Sequence, residues 1–157
     1  MFNGRAIIMR GIPGSGKTTA AKDLASGFGK IPGGFLTESC VTYFVTDDGK
    51  KIAAIHSTDE FFMKDGEYRW TQSDLHRNHT ANHKAFCESM KNKIPLVICD
   101  NTNSTRKEFW RYKSAAEENN YLVSFHELPH PTVAEANARN THNVPSDVIK
   151  KMIERWE

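Results

Sequence analysis

The run Gly11-Ile12-Pro13-Gly14-Ser15-Gly16-Lys17-Thr18 constrains this chain more than any other stretch of it. It fits the pattern G-x-x-x-x-G-K-[ST], and its flanks are those the pattern requires. Ala6-Ile7-Ile8-Met9 before it reads as a buried strand, and Thr18 to Ser26 after it carries Ala21, Leu24 and Ala25 at helical spacing before Gly27. A glycine-rich turn between strand and helix can aim backbone N–H groups inward, where the helix dipole adds partial positive charge. Gly11, Gly14, Ser15, Gly16, Lys17, Thr18 and Thr19 are therefore the expected cradle for a nucleoside triphosphate, with Lys17 reaching the outer phosphates and Thr18 offering its hydroxyl to Mg²⁺. An accidental glycine turn has no reason to sit between these two elements.

The remaining pattern fits one α/β domain spanning residues 1–157. With 38% hydrophobic and 25% charged residues the composition is that of a globular domain, which sets aside disorder and coiled coil. The formal net charge of +2 means that a polyanion would need a local basic patch. Cys40, Cys87 and Cys99 show no close pairing, which suits free thiols in a reducing, cytoplasmic setting, and no apolar run reaches membrane-spanning length.

Periodicity predicts about four core strands, Ala6 to Met9, Lys51 to Ser57, Pro95 to Cys99 and Tyr121 to His126, alternating with helices as in one α/β unit. A loop is expected over 27–34, and Val41 to Val45 should form a hairpin with the second core strand across Thr46-Asp47-Asp48-Gly49. Thr71-x-x-Asp74 signals a helix from about Ser73 to Lys91. Thr105-x-x-Glu108 signals another, with Phe109, Tyr112, Ala115 and Ala116 as its inner stripe and Asn119-Asn120 as its end. Pro131 is expected to open a short helix through Ala138. Pro145 is expected to open the last one, with Val148, Ile149, Met152, Ile153 and Trp156 on its inner face.

Two carboxylates stand where ligands gather, at the carboxyl ends of parallel strands. Asp59, in Ser57-Thr58-Asp59-Glu60-Phe61-Phe62, could accept the proton of an attacking hydroxyl, or it could merely cap the next segment. Asp100, in Asp100-Asn101-Thr102-Asn103, could complete a magnesium shell, or the four short polar residues could form an ordinary Asx turn.

Taken in order, residues 11–19, 57–62 and 97–103, together with Ala138-Arg139-Asn140-Thr141-His142-Asn143-Val144-Pro145 and the helix after it, resemble the polynucleotide-kinase branch of P-loop kinases, including the phage-type polynucleotide 5′-kinase module. The resemblance implies a three-layer P-loop kinase fold, its four parallel core strands in the order second, third, first, fourth, with a small helical lid, and an ATP- and Mg²⁺-dependent kinase activity. Asp59 would be the base, Lys17 and Thr18 the phosphate and metal contacts, Asp100 a support for metal or substrate, and Arg139 the lid arginine that stabilises the transferred phosphoryl group. It also implies a nucleic-acid acceptor, DNA or RNA, with a 5′-hydroxyl first. The chain departs from the family where Phe62 stands near an acceptor-side arginine and His142 near a second lid arginine, and the phosphatase domain of some phage enzymes is absent from it. An aromatic at that place leaves room for a hydroxymethyl group on a flipped base such as 5-hydroxymethyluracil. A small-molecule or nucleoside kinase and a non-catalytic nucleotide-binding module are the other readings.

Asn101 and Asn103 are further substrate candidates, and by resemblance so is His83, which shares a helix face with His76, His79 and Cys87. A zinc site on that one face lacks a second cluster to complete it. Arg106 and Lys107 open the helix after Asp100 and could hold acceptor phosphates, or they could be part of a solvated charged face balanced by Glu108, Glu117 and Glu118.

Overall fold

In the computed structural model, which describes residues 1–28 and 34–157, β1 (Gly4–Arg10) runs through the glycine-rich turn into α1 (Lys17–Gly27). Three strands follow: β2 (Phe35–Glu38), β3 (Val41–Val45) and β4 (Lys51–His56). A 3₁₀ turn at Thr58–Phe62 then leads into a ribbon of β5 (Met63–Lys64) and β6 (Glu67–Tyr68), and a second 3₁₀ turn precedes α2 (Leu75–Lys91). The chain finishes with β7 (Leu96–Cys99), α3 (Arg106–Glu118), β8 (Tyr121–Glu127), α4 (Val133–Arg139) and α5 (Ser146–Glu154).

The main sheet has the order β2-β3-β4-β7-β1-β8. Its β4-β7-β1-β8 part is parallel and carries the four expected core strands in the expected order, while β3 pairs antiparallel with β4 as the predicted hairpin. Strand alternation divides the interior. Ala6, Ile8, Val97 and Cys99 face a cluster with Phe86 and Met90 of α2 and Tyr112, Ala115 and Ala116 of α3. Met9, Leu96 and Ile98 face Ala21 and Ala25 of α1. Both faces of β1, β4 and β7 are covered, which is why these strands read as apolar runs, whereas β8 stands at the sheet edge and is largely exposed.

Two hairpins were not expected. In the first, β2 joins β3 through Ser39 and Cys40, both at positive φ (51° and 64°), so the left-handed turn is made without glycine or asparagine. In the second, β5 joins β6 through Asp65-Gly66 at φ 53° and 79°, a dipeptide that announces such a turn. The fourth helix begins two residues later than Pro131 suggested. Thr132 caps it through the Glu135 N–H while Glu135 returns a bond to the Thr132 N–H, a reciprocal box that fixes the start where a proline alone would not. In α5, Ile149 and Met152 close over Ile12 and Ala136, but Val148 is turned outward and exposed. Most of the loop expected over 27–34, residues 29–33, lies outside the described residues.

His56 ends β4, fully buried, with Nε2 bonded to Ser89 Oγ at 2.9 Å and its ring edge-on to Phe86. Burial pushes its pKa down to about 3, so the folded chain keeps the ring neutral. The unfolded chain binds a proton below about pH 6.5 and the folded one resists it down to about pH 3, so stability falls as pH falls through that window. Thermal melts across it are expected to show this slope, and His56→Gln should flatten part of it while lowering the melting temperature at neutral pH. An unchanged slope would remove His56 as a cause.

Candidate functional site

The P-loop is built where β1 hands over to α1. Gly14 and Gly16 sit at φ 82° and 88°, a left-handed geometry that costs other residues about 1–3 kcal/mol. They serve different ends. A Cβ on Gly16, the residue before α1, would meet nothing within 4 Å, so that space is open. A Cβ on Gly14 would stand 2.4 Å from the Ala136 carbonyl oxygen, because the loop backbone lies directly against α4. Gly14→Ala is therefore expected to lower the melting temperature by several degrees and to weaken triphosphate binding together with it, through α4 being pushed away. Calorimetry with and without ATP checks this; a variant that melts like the wild type would show that the close approach does not matter.

Lys17 and Thr18 open α1 and converge on Asp100, which β7 delivers one residue after its end. Thr18 Oγ1 donates to Asp100 Oδ2 at 3.0 Å, and Lys17 Nζ lies 3.4 Å from Oδ1. The Asp100 side chain is only 2% exposed, and its backbone N–H donates to the His56 carbonyl at 2.8 Å, fastening β7 to β4 at the cleft. The Lys17 contact is an ion pair without hydrogen-bond geometry, so Asp100 Oδ1 remains buried and unsatisfied, as does Ser15 Oγ. Buried polar atoms left without partners are costly unless something supplies them. A phosphate beside the open space at Gly16 would take up Ser15 and the loop N–H groups, and a magnesium ion would take Thr18 Oγ1 and Asp100. One or two protein oxygens, completed by phosphate and water, are how Mg²⁺ is usually held. The residues fit both groups. Thr19, exposed on the first turn of α1, adds no bond of its own here.

Asp59 stands in the 3₁₀ turn after β4, its side chain 47% exposed. Its partners come from two directions. Tyr68 of the ribbon donates its hydroxyl to Oδ1 at 3.2 Å, and His142, three residues beyond α4, places Nε2 3.5 Å from Oδ2. The two rings stack on each other with centroids 3.9 Å apart. Burial, and then the neighbouring carboxylate, push the Tyr68 hydroxyl far above its ordinary value, so it acts as a donor throughout the neutral range.

Asn101 couples the two acidic segments: its Oδ1 accepts from the Thr58 N–H at 2.9 Å while its Nδ2 donates to the Tyr112 hydroxyl at 3.4 Å. Asn103 is buried at φ 49°, with Nδ2 donating to the Met9 carbonyl at 2.8 Å. Both amides, singled out for substrate, are spent on holding the ends of β1, β4 and β7 together. His83 likewise bonds the Arg111 carbonyl at 3.1 Å and rests edge-on against Tyr112, between α2 and α3. The histidine of α2 that reaches the Asp59 segment is His79, whose Nδ1 lies 3.0 Å from Thr58 Oγ1, with its pKa lowered by burial. Among the described residues no three His, Cys, Asp or Glu side chains are grouped to hold a metal ion, so the one-face histidine cluster forms no such site.

Arg106 lines a hollow of about 260 Å³ with Arg10, Phe109, Trp110, Lys113 and Phe125, on the α3–β8 side of the sheet, and Lys107 is exposed beside it. Arg139 ends α4 with its guanidinium 3.4 Å from Glu135 and its side chain 56% exposed, and makes no hydrogen bond or ion pair with Asp59, Lys17 or Asp100. Phe62, expected near the acceptor, is 1% exposed and forms the floor under the ribbon. Cys99 is fully buried, its thiol pushed up to about 12 by burial, which agrees with a packing role.

A mostly parallel α/β sheet with a phosphate-binding loop after β1 and carboxylates just after β4 and β7 defines the P-loop kinase fold. The chain belongs to the family described as "AAA domain", whose model matches residues 7–157. It is 27% identical to human NEDD4-binding protein 2 over 96% of its own length, and 30% identical to human YLP motif-containing protein 1, again over 96%. Those are long proteins, of which the chain spans 8% and 7%. Among solved structures it resembles a chain of the Pnkp1/Rnl/Hen1 RNA repair complex (TM-score 0.63, 18% identity, covering 98% of this chain and 44% of that one). It also resembles a gluconokinase from Sinorhizobium meliloti 1021 (TM-score 0.57, 16% identity, covering 99% and 76%). No helix among the described residues is long and apolar enough to cross a membrane.

Proposed function

We propose that the chain is an ATP- and Mg²⁺-dependent kinase that moves the γ-phosphate to a hydroxyl of a nucleic acid, a polynucleotide 5′-hydroxyl being the acceptor. The observation that carries the reading is the half-exposed carboxylate of Asp59 at the end of β4, next to the strand that delivers Asp100 to Lys17 and Thr18. One acid is committed to the phosphate side and the other is left open to solvent. The likeness to a chain of an RNA repair complex supports the choice of a nucleic acid, and the likeness to a gluconokinase keeps a small acceptor as an outcome of the test.

In this mechanism the acceptor oxygen attacks the γ-phosphorus, its proton passes to Asp59, and the bond to the β–γ bridging oxygen breaks to release ADP. Lys17 and the loop N–H groups hold the phosphate oxygens against the attack. Thr18 Oγ1 and Asp100 would hold a magnesium ion, which would supply charge neutralisation for the phosphates. Arg139 leaves Glu135 for the phosphoryl group as charge grows there. Since that contact strengthens towards the transition state, Arg139→Ala should depress turnover more than ATP affinity, and Arg139→Lys should not restore it because an ammonium lacks the planar fork. Equal losses in both would make Arg139 a nucleotide clamp instead.

The acceptor is tested with labelled ATP and three substrates: an oligonucleotide with a free 5′-hydroxyl, the same strand with a blocked 5′ end and an internal 5-hydroxymethyluracil, and a mononucleoside. Label on the free 5′ end supports the proposal. Label only on the modified strand moves the assignment to a base kinase, and label only on the mononucleoside to a nucleoside kinase.

A further inference from the structure

The segment between Asp59 and α2 contributes little to either main core cluster, yet it holds a group of aromatic rings. Phe62 is its buried floor. Tyr68 packs on Phe62 with centroids 6.0 Å apart, and Trp70 contacts it in a tilted pair at 6.3 Å with the planes 30° apart. Trp70 nevertheless remains 48% exposed. An indole in contact with a buried ring and half open to solvent is a preformed platform, which loses little side-chain freedom when a second flat ring is laid on it. The same group is tied to the reacting carboxylate, since Tyr68 donates to Asp59 at 3.2 Å and is itself pinned by the His142 stack. The ribbon turns tightly at Asp65-Gly66 and closes with the Arg69 N–H on the Phe62 carbonyl at 2.9 Å, so Trp70 is fixed relative to Asp59.

Both arginines beside the platform are paired, Arg69 with Glu67 and Arg77 with Asp74. That arrangement suits an uncharged flat ring better than a phosphate. We propose that Trp70 is a specificity-determining residue on which the nucleobase carried by the acceptor nucleotide stacks, with Tyr68 as the positioning residue that holds Asp59 towards the hydroxyl of that nucleotide. This rests on the nucleic-acid reading of the site and names the part of the acceptor that is read. It also moves the stacking role from Phe62, which is covered, to Trp70, which is open. Base–aromatic stacking of this kind is worth roughly a five- to 150-fold change per base.

The test compares two single-stranded oligonucleotides, identical except that the nucleotide bearing the free 5′-hydroxyl carries its base in one and is abasic in the other. The wild type is expected to prefer the base-bearing strand by roughly five- to 150-fold in kcat/KM. Trp70→Ala should lose that preference through a raised acceptor KM, with the KM for ATP unchanged, and Trp70→Phe should keep most of it. Equal use of both strands by the wild type would overturn the proposal alone, as would a Trp70→Ala protein that loses ATP affinity as much as acceptor affinity, since that marks a structural role. Labelling of neither strand would overturn the polynucleotide reading itself, and this proposal with it.

Discussion

Replacing Asp59 by Asn is expected to lower phosphoryl transfer by roughly two to four powers of ten, the usual worth of a positioned general base, while leaving ATP affinity near the wild-type value. The expectation follows from the division of labour at the ends of β4 and β7. Asp100 is buried against Lys17 and Thr18, whereas Asp59 touches neither and turns towards the ribbon and His142. An amide at position 59 could still accept from Tyr68, so the local packing should survive and the loss should appear in kcat. Transfer at the wild-type rate by Asp59→Asn, measured with saturating ATP, would show that another group removes the proton.

Lys17→Ala is the second large effect, and it has two parts. Losing the charge that faces the outer phosphates should cost roughly 10²–10³ in turnover, as loss of a preorganised electrostatic contact does. The sequence alone presents Lys17 as a ligand contact and nothing else. The structure adds that its ammonium is the cation beside a buried carboxylate, so truncating it leaves Asp100 with only the Thr18 hydroxyl among side chains. The variant should therefore also melt at a lower temperature. Adding Asp100→Asn to Lys17→Ala should recover part of the melting temperature and none of the turnover. Recovery of both, or of neither, would contradict the pairing.

What could be foreseen here depended on how local its cause was. The four core strands, the β3–β4 hairpin, Lys17 and Thr18 at the start of α1, and Asp59 and Asp100 after β4 and β7 all follow from apolar runs and a phosphate-loop pattern that are contiguous in the chain, while the strand order comes with the family resemblance. Asp65-Gly66 and the Thr132–Glu135 box are local signals of the same kind, for the turn between β5 and β6 and for the start of α4. The Ser39-Cys40 turn carried no such signal, because its left-handed residues are ones that rarely accept that geometry. Long-range partnerships were hidden for a different reason. Whether Asn103 faces a substrate or the Met9 carbonyl, and whether Phe62 or Trp70 is the open ring, depends on how segments distant in sequence pack. Tyr68 and His142 meet on Asp59 from elements 74 positions apart, and neither residue type nor spacing announces it.

The same distinction applies to the helical histidines. His76, His79, His83 and Cys87 share a face, as periodicity requires, but the face is divided between two neighbours: His79 reaches Thr58 beneath the Asp59 turn, and His83 reaches the α3 backbone. A shared face tells which residues are near each other, not what lies opposite them.

The central claim, that the P-loop and Asp59 together make a phosphotransferase and not a nucleotide-binding module, is tested most directly by following the γ-phosphate. ATP consumption and phosphate on the acceptor are measured together, with the 5′-hydroxyl oligonucleotide present or absent, for the wild type and Asp59→Asn. The account predicts that ATP turnover rises with the acceptor, that one phosphate appears on it for each ATP consumed, and that both are lost in Asp59→Asn. Slow ATP hydrolysis that no hydroxyl acceptor alters, and that is the same in both proteins, would contradict it.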